Sequence, residues 1–286
     1  MGTSSQTTSA GRAIIASDIL EQKISDLLDI FFARRIDRLQ QLKLDSRLSS
    51  KNPYLFRAIG VADASEIVKE LLDAHISSSD ETIFGNVFFE PLAKWVAAMS
   101  FEGQSGTAVQ VSGAEGCDIL LTKPGQNEAI AVKSGPKVFN AQSRGKQILE
   151  FKKIDRILKK DGKLFLALVG YCYGRKKQKD AKDFTEMAGQ KLWEHLTGEP
   201  DFYLRIIRLM RQKPIEHRPK FQEQYNNAKN LFVREFLTKY ALPDGSIDWD
   251  KLVVKVSAVN SPNKAVKKPS RTKTRRSSKP SKEKPV

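Results

Sequence analysis

Histidine and cysteine are scarce: three histidines and two cysteines occur in 286 residues. His75, His195 and His217 lie far apart, with no spacing that would bring them onto one metal, which argues against a zinc site. Cys117 and Cys172 are separated as well, each in an apolar stretch with no histidine beside it. That excludes a disulfide scaffold and a thiol nucleophile, and reads as two reduced core residues. No apolar run approaches the roughly 18 residues that span a bilayer. The opening MGTSSQTTSAGR has no basic stretch leading into an apolar one, so the expectation is a cytoplasmic protein.

Acid is also in short supply. Asp and Glu total 33 against 49 Lys and Arg, a net charge of +16. Ten of the bases and a single acid, Glu283, fall within residues 261–286, which makes the tail +9 and the rest of the chain +7. A basic body with a more basic tail points to a polyanionic partner, nucleic acid first and an anionic membrane surface second. The tail is Lys, Ser, Pro and Thr with almost no apolar content, and is expected to be disordered.

Apolar residues make up 40% of the chain, enough for a substantial core. Residues 13–49 contain no Gly or Pro, and apolar positions recur three or four apart, which predicts an amphipathic helix broken at most once. Its apolar stripe is one that a single domain need not cover, so the helix is expected at a dimer interface. Further helices are predicted over 64–76 and 81–100, the latter capped by Ser77-Ser78-Ser79-Asp80. The period then changes. Segments 107–111, 117–122 and 128–133 are short and β-rich, with Pro124-Gly125 as a hairpin turn. A helix over 141–160, a buried central strand over 163–173 and helices over 184–196, 202–210 and 221–240 follow. The fold class is α/β, a mixed β-sheet flanked by helices. The divisions expected are an N-terminal helical region 1–76, a catalytic domain 77–260 and the tail 261–286.

The hairpin carries the chemistry. Asp118 begins one strand and Lys133 ends the other, at the same edge of the sheet. A carboxylate binds a hard divalent cation, and Mg²⁺ takes one or two carboxylates together with phosphate oxygens. A neighbouring lysine can orient a water and face the charge that develops on a phosphate. Glu90, in the apolar stretch Phe88-Phe89-Glu90-Pro91-Leu92, is the candidate second acid. The same residues also suit a plain surface. Asp and Lys commonly flank hairpin strands, a lone Glu is more often an ion-pair partner, and Ser134-Gly135-Pro136 is an ordinary turn sequence.

The hairpin resembles the core of the PD-(D/E)XK nucleases, whose pattern is an acid, a variable hairpin, then acid-any-Lys. More specific segments surround it. Ser79-Asp80-Glu81-Thr82 with Gly85 and Glu90 precede it, and Lys133-Ser134-Gly135-Pro136 with Asn140 and Gln142 close it. Gly170-Tyr171-Cys172-Tyr173-Gly174, Gly189-Gln190-Lys191-Leu192-Trp193, Leu196-Thr197-Gly198, Tyr203 and the segment 245–252 follow. In this order, over roughly 50–256, they resemble one subgroup of type II restriction endonucleases. The resemblance implies a restriction-endonuclease-like core and a homodimer that cuts double-stranded DNA with Mg²⁺ at a short palindromic site, within a restriction-modification system. It implies Asp118 and Glu90 as metal ligands and Lys133 beside the attacking water. One departure stands out: Ala131 occupies the position of the second acid. Glu90 is the first replacement and Glu150 the second, while Glu115 and Glu128 are expected at the outer ends of the hairpin.

For DNA contact, Lys137, Asn140, Gln142, Arg144 and Lys146 combine charged and amide side chains suited to phosphates and base edges. Arg175, Lys176 and Lys177 suit phosphates alone. A solvated basic helix accounts for the first group equally well. The rival function is a sequence-specific DNA-binding protein on the same fold that does not cleave, as Ala131 suggests. A membrane-surface protein held by the tail is a third reading, and it leaves the Asp118–Lys133 pair without a purpose.

Overall fold

Leu20, Ile24, Leu27, Leu28, Phe31, Phe32 and Leu39 form the buried stripe of helix α1 (Ser17–Gln40). The computed structural model describes Thr8 and residues 11–111, 116–137, 140–176 and 183–258. The basic tail, Glu115 and Lys177 lie outside the described residues. The long N-terminal helix does break once, after Gln40, and the short α2 (Leu44–Leu48) follows. The stripe of α1 is covered within the chain by Phe88, Leu92 and Val96 on one side and by Phe202, Ile206 and Leu209 on the other. The ground for placing α1 at a dimer interface is therefore removed.

Asn52 caps α3 (Pro53–Ala58) by accepting from the amides of Tyr54 and Leu55, and Pro53 sets its first turn. Asp63 caps α4 (Ala64–Phe84), which runs through Ser77-Ser78-Ser79-Asp80 and through the 76/77 division expected from sequence. These residues do not cap a separate helix. The Ser79 hydroxyl donates to the carbonyls of His75 and Ile76, and Thr82 donates to that of Ser78, so mid-helix hydroxyls are satisfied without ending the helix. Asp80 instead takes the Arg35 guanidinium with both oxygens at 2.8 Å, tying α4 to α1. A π-helical turn, Gly85–Phe89, leads into α5 (Glu90–Ser100).

The sheet has five strands in chain order: β1 (Ala108–Val111), β2 (Ile119–Lys123), β3 (Gln126–Lys133), β4 (Leu164–Tyr171) and β5 (Thr185–Ala188). The first two pairings are antiparallel and the last two parallel, with α6 (Ala141–Leu158) crossing between β3 and β4. Gly125, at a φ of +76°, makes the tight β2–β3 turn. Side chains alternate across β3. Ile130 and Val132 join the core under α1, α5 and α7 (Gln190–Thr197), while Ala129 and Ala131 pack with Phe151 on the α6 side. Strand β4 pairs on both sides, but only its C-terminal half is buried. The helix expected over 184–196 is a strand followed by α7. Gly189 turns between them at a φ of +55°, where a side chain would press on the Gly174 carbonyl.

Helix α8 (Phe202–Met210) closes the first core, and α9 (Lys213–Tyr240) and α10 (Trp249–Ser257) build a second. There Phe232, Phe236 and Leu252 pack on Leu44, Leu48, Phe56, Ile67 and Leu71. Among the described residues no helix is long and apolar enough to cross a membrane.

Glu128 corrects an expectation. It lies inside strand β3, 2% exposed, and not at an outer end of the hairpin. Lys123 Nζ and Gln126 Nε2 sit 2.5 Å from one oxygen, and His195 Nε2 sits 2.9 Å from the other. Burial raises this carboxyl, but the bonds from His195 and Lys123 outweigh it and hold the group at about 2, below its ordinary 4.5. A group lowered on folding adds stability that is full above 4.5 and lost as pH falls through about 2. Glu128→Gln should therefore cost about 3 kcal/mol at neutral pH by leaving the half-buried Lys123 ammonium without its charge partner. Urea unfolding should show the gap from the parent closing as pH is lowered through that window; a constant gap would contradict the assignment.

Candidate functional site

Asp118 is positioned by the register of the hairpin. Its N–H donates to Ile130 O at 2.9 Å, and its Oδ2 accepts from Val132 N at 2.7 Å. The carboxylate is thereby fixed to the residue immediately before Lys133. Strand β4 holds the other side of that position, with Cys172 N donating to Lys133 O at 2.9 Å and Tyr173 N to Ser134 O at 3.2 Å. A Cβ at Gly135 would come within 2.4 Å of Tyr173 Cζ, so a side chain there would have to displace that exposed ring.

Glu90 opens α5 and points toward the same edge. It does pair with a lysine, as a plain surface reading expects, with Lys94 Nζ 2.5 Å from its Oε1. The same ammonium stands 3.4 Å from Asp118 Oδ1. Side-chain exposures are 35% for Glu90, 20% for Lys94 and 21% for Asp118, so the three charges meet in partial shelter from water. Burial lowers the Lys94 ammonium, but the hydrogen bond to Glu90 and the charge of Asp118 outweigh it and hold it above its ordinary range. Lys94 was missed in the sequence, although its i, i+4 spacing from Glu90 on a helix was there to be read.

A cleft of about 510 Å³ opens beside this group, lined by Glu90, Lys133, Ser134, Lys146, Gln147 and Glu150 among others. Glu81, Thr82, Gly85 and Asn86 of the segment before α5 form another part of its wall. Glu150 comes from α6, nearly buried, with Lys153 Nζ 2.9 Å from its Oε1. Its Cβ lies against Gly116, where an added side-chain carbon would come within 2.4 Å, and Gln147 Nε2 donates to Gly116 O. Ala131 is fully buried among Cys117, Phe151, Val169 and Tyr171.

The expected DNA contacts divide. Lys137, Gln142, Lys146 and Arg175 are exposed. Asn140 is exposed too, but its side chain caps α6, accepting from Ser143 N at 2.8 Å and Ser143 Oγ at 2.7 Å. Arg144 and Lys176 are tied inward to nearly buried Glu186, at 3.1 and 2.5 Å, beside the Tyr171 hydroxyl at 2.7 Å. Arg175 and Lys176 line a separate cavity of about 680 Å³ against α7 and α8, with Tyr173, Trp193 and Tyr203. Lys177 is outside the described residues.

Among the described residues no three or more His, Cys, Asp or Glu side chains stand together as a metal shell. The donors best suited to a hard cation are Asp118 and Glu90, whose oxygens already converge on one positive charge. Two carboxylates completed by water and phosphate oxygens match what Mg²⁺ takes. Both cysteines are buried, and burial pushes the Cys117 thiol up to about 11, which removes it as a nucleophile.

The family model for the type II restriction endonuclease EcoO109I matches residues 18–218. That span holds the whole sheet, Glu90, Lys94, Asp118, Lys133 and Glu150; the segment 245–252 lies beyond it. No curated protein matches the chain.

Proposed function

The chain belongs to the family of the type II restriction endonuclease EcoO109I, which makes it a DNA-binding nuclease, and from this we propose how it cuts. It hydrolyses both strands of double-stranded DNA at a short palindromic site, with Mg²⁺, as a homodimer within a restriction-modification system. The observation that carries the reading is the convergence of Asp118 and Glu90 on one cation beside the Lys133 cleft.

Asp118 and Glu90 would hold the Mg²⁺, which would supply Lewis acidity at the phosphate and acidify a water. The Val132 amide fixes the Asp118 carboxylate next to Lys133. Lys133 orients the attacking water and faces the charge that builds on the phosphoryl oxygens. The water oxygen bonds to phosphorus as the bond to O3′ breaks, and the departing oxygen takes a proton, leaving a 3′-hydroxyl and a 5′-phosphate. Lys137, Gln142, Lys146 and Arg175 meet the DNA. Arg144 and Lys176 reach the DNA from their ion pairs with Glu186. Two scissile phosphates related by a twofold axis call for two copies of the site, hence the homodimer.

A second reading has one observation in its favour: Ala131, fully buried, offers no carboxylate where the superfamily pattern has one. It makes the protein a site-specific DNA binder that does not cleave. Digestion of a long mapped DNA with Mg²⁺, followed by sequencing of the ends, separates the two. Discrete fragments with a common end sequence, abolished by chelator, support cleavage; intact DNA with specific binding supports the alternative.

The tail makes a distinct contribution. Deleting residues 261–286 removes nine net positive charges. Each phosphate neutralised contributes about −0.9 to the slope of log K against log salt on duplex DNA. The deletion should weaken non-specific binding and flatten its salt dependence, with the cut site unchanged. A changed cut site would mean that the tail reads bases.

A further inference from the structure

Lys94 sits where the proposed metal belongs. Glu90 and Lys94 are one turn apart on α5, so their side chains share a face, and Pro91 stiffens the first turn that presents them. The ammonium lies 2.5 Å from Glu90 and 3.4 Å from Asp118, and at 20% exposure the side chain is committed to this position instead of extending into water. Mg²⁺ binds oxygen at about 2.1 Å in a strict octahedron. An ammonium between the same two carboxylates and a metal bound to both cannot coexist.

We propose that Lys94 is a built-in competitor for the divalent cation, so that metal binding at Glu90 and Asp118 is an exchange of one positive charge for another. The inference rests on the reading of those two acids as the metal's carboxylates. Its physical content is twofold. Lys94 neutralises two acids that would otherwise repel, and so keeps them aimed at each other before metal arrives. It also raises the metal concentration needed to fill the site. A DNA phosphate entering the cleft favours the exchange from both directions, since it attracts the displaced ammonium and adds an oxygen ligand for the metal. The site is thereby biased toward filling when substrate is present.

The test is Mn²⁺ binding to the full chain without DNA, by calorimetry, alongside thermal unfolding with and without Mn²⁺. Lys94→Met removes the competing charge; Lys94→Gln removes it but keeps a donor to Glu90 and serves if the first variant folds poorly. Both should bind Mn²⁺ at least about tenfold more tightly than the parent, because an ammonium this close to two carboxylates is a strong rival. Both should melt lower than the parent without metal and gain more from Mn²⁺. Lys94→Arg, which keeps the charge, should stay near the parent affinity. Affinity unchanged or weakened in both Lys94→Met and Lys94→Gln overturns the proposal. Asp118→Asn separates this from failure of the underlying reading. If it leaves Mn²⁺ affinity unchanged, the two-carboxylate site itself is wrong; if it weakens binding while the Lys94 variants do not tighten it, only the exchange is wrong.

Discussion

Asp118→Asn and Lys133→Ala should each reduce cleavage by at least about 1,000-fold, the equivalent of about 4 kcal/mol of transition-state stabilisation. Asp118→Asn keeps the shape of the side chain and an oxygen able to accept from Val132 N, so the hairpin stays in register. What it removes is the charge that holds a divalent cation. Lys133→Ala leaves the backbone bond from Cys172 intact and removes only the ammonium at the cleft. DNA binding should survive in both, because Lys137, Gln142, Lys146 and Arg175 are separate side chains and phosphate affinity is summed over many contacts. Gel-shift and cleavage assays on one labelled duplex make the comparison. Wild-type cutting by either variant would remove that residue from the mechanism, and loss of both binding and cutting would mark it as structural.

The hairpin was legible because its information is local. Alternating Ile119, Leu121, Ile130 and Val132, with Pro124-Gly125 between them, specify two antiparallel strands, and the register that follows places Asp118 beside the end of β3. The helical period of α1 was equally local. Misreadings came where tertiary packing outweighs local propensity. Ser77-Ser78-Ser79-Asp80 has the composition of a cap, yet Arg35 claims Asp80 and the hydroxylated side chains bond back along the helix, so α4 continues. Thr185–Ala188 is too short to announce a strand, and it becomes one because it pairs with β4. Glu128 reads as a polar end residue until His195, distant in sequence, arrives to pair with it.

The candidate site followed the same rule. The Asp118–Lys133 pair was visible from spacing, whereas the partners of the basic side chains were not. Arg144 and Lys176 read as DNA contacts from their charge, but the acid that holds them, Glu186, lies on the last strand of the sheet. Ala131 was visible as a missing acid. Its burial against Phe151 places that position under α6, the helix from which Glu150 comes.

Glu90→Gln and Glu150→Gln should behave differently, and the contrast identifies the second acid. They reach the cleft from opposite sides of the sheet, Glu90 with α5 and Glu150 with α6. Glu150 has the face in its favour, since Ala131 points to the α6 side. Glu90 has the electrostatics, since it already shares an ammonium with Asp118, whereas the nearly buried Glu150 pairs with the exposed Lys153. Glu90→Gln should therefore lose cleavage by about 1,000-fold or more while folding and DNA binding persist. If Glu90 serves only as an ion-pair partner, the same change costs at most about 1 kcal/mol of stability and cutting stays near normal. Glu150→Gln should keep most of the cutting rate and lose stability instead, because its near-complete burial leaves an amide where the turn at Gly116 is packed. Rates measured with Mg²⁺ in excess, beside urea midpoints for both variants, resolve the two effects. A reversed pattern would move the metal to the α6 side. Normal cutting in both, with Ala131→Glu raising activity, would show that one carboxylate and the DNA phosphate hold the metal without a second acid.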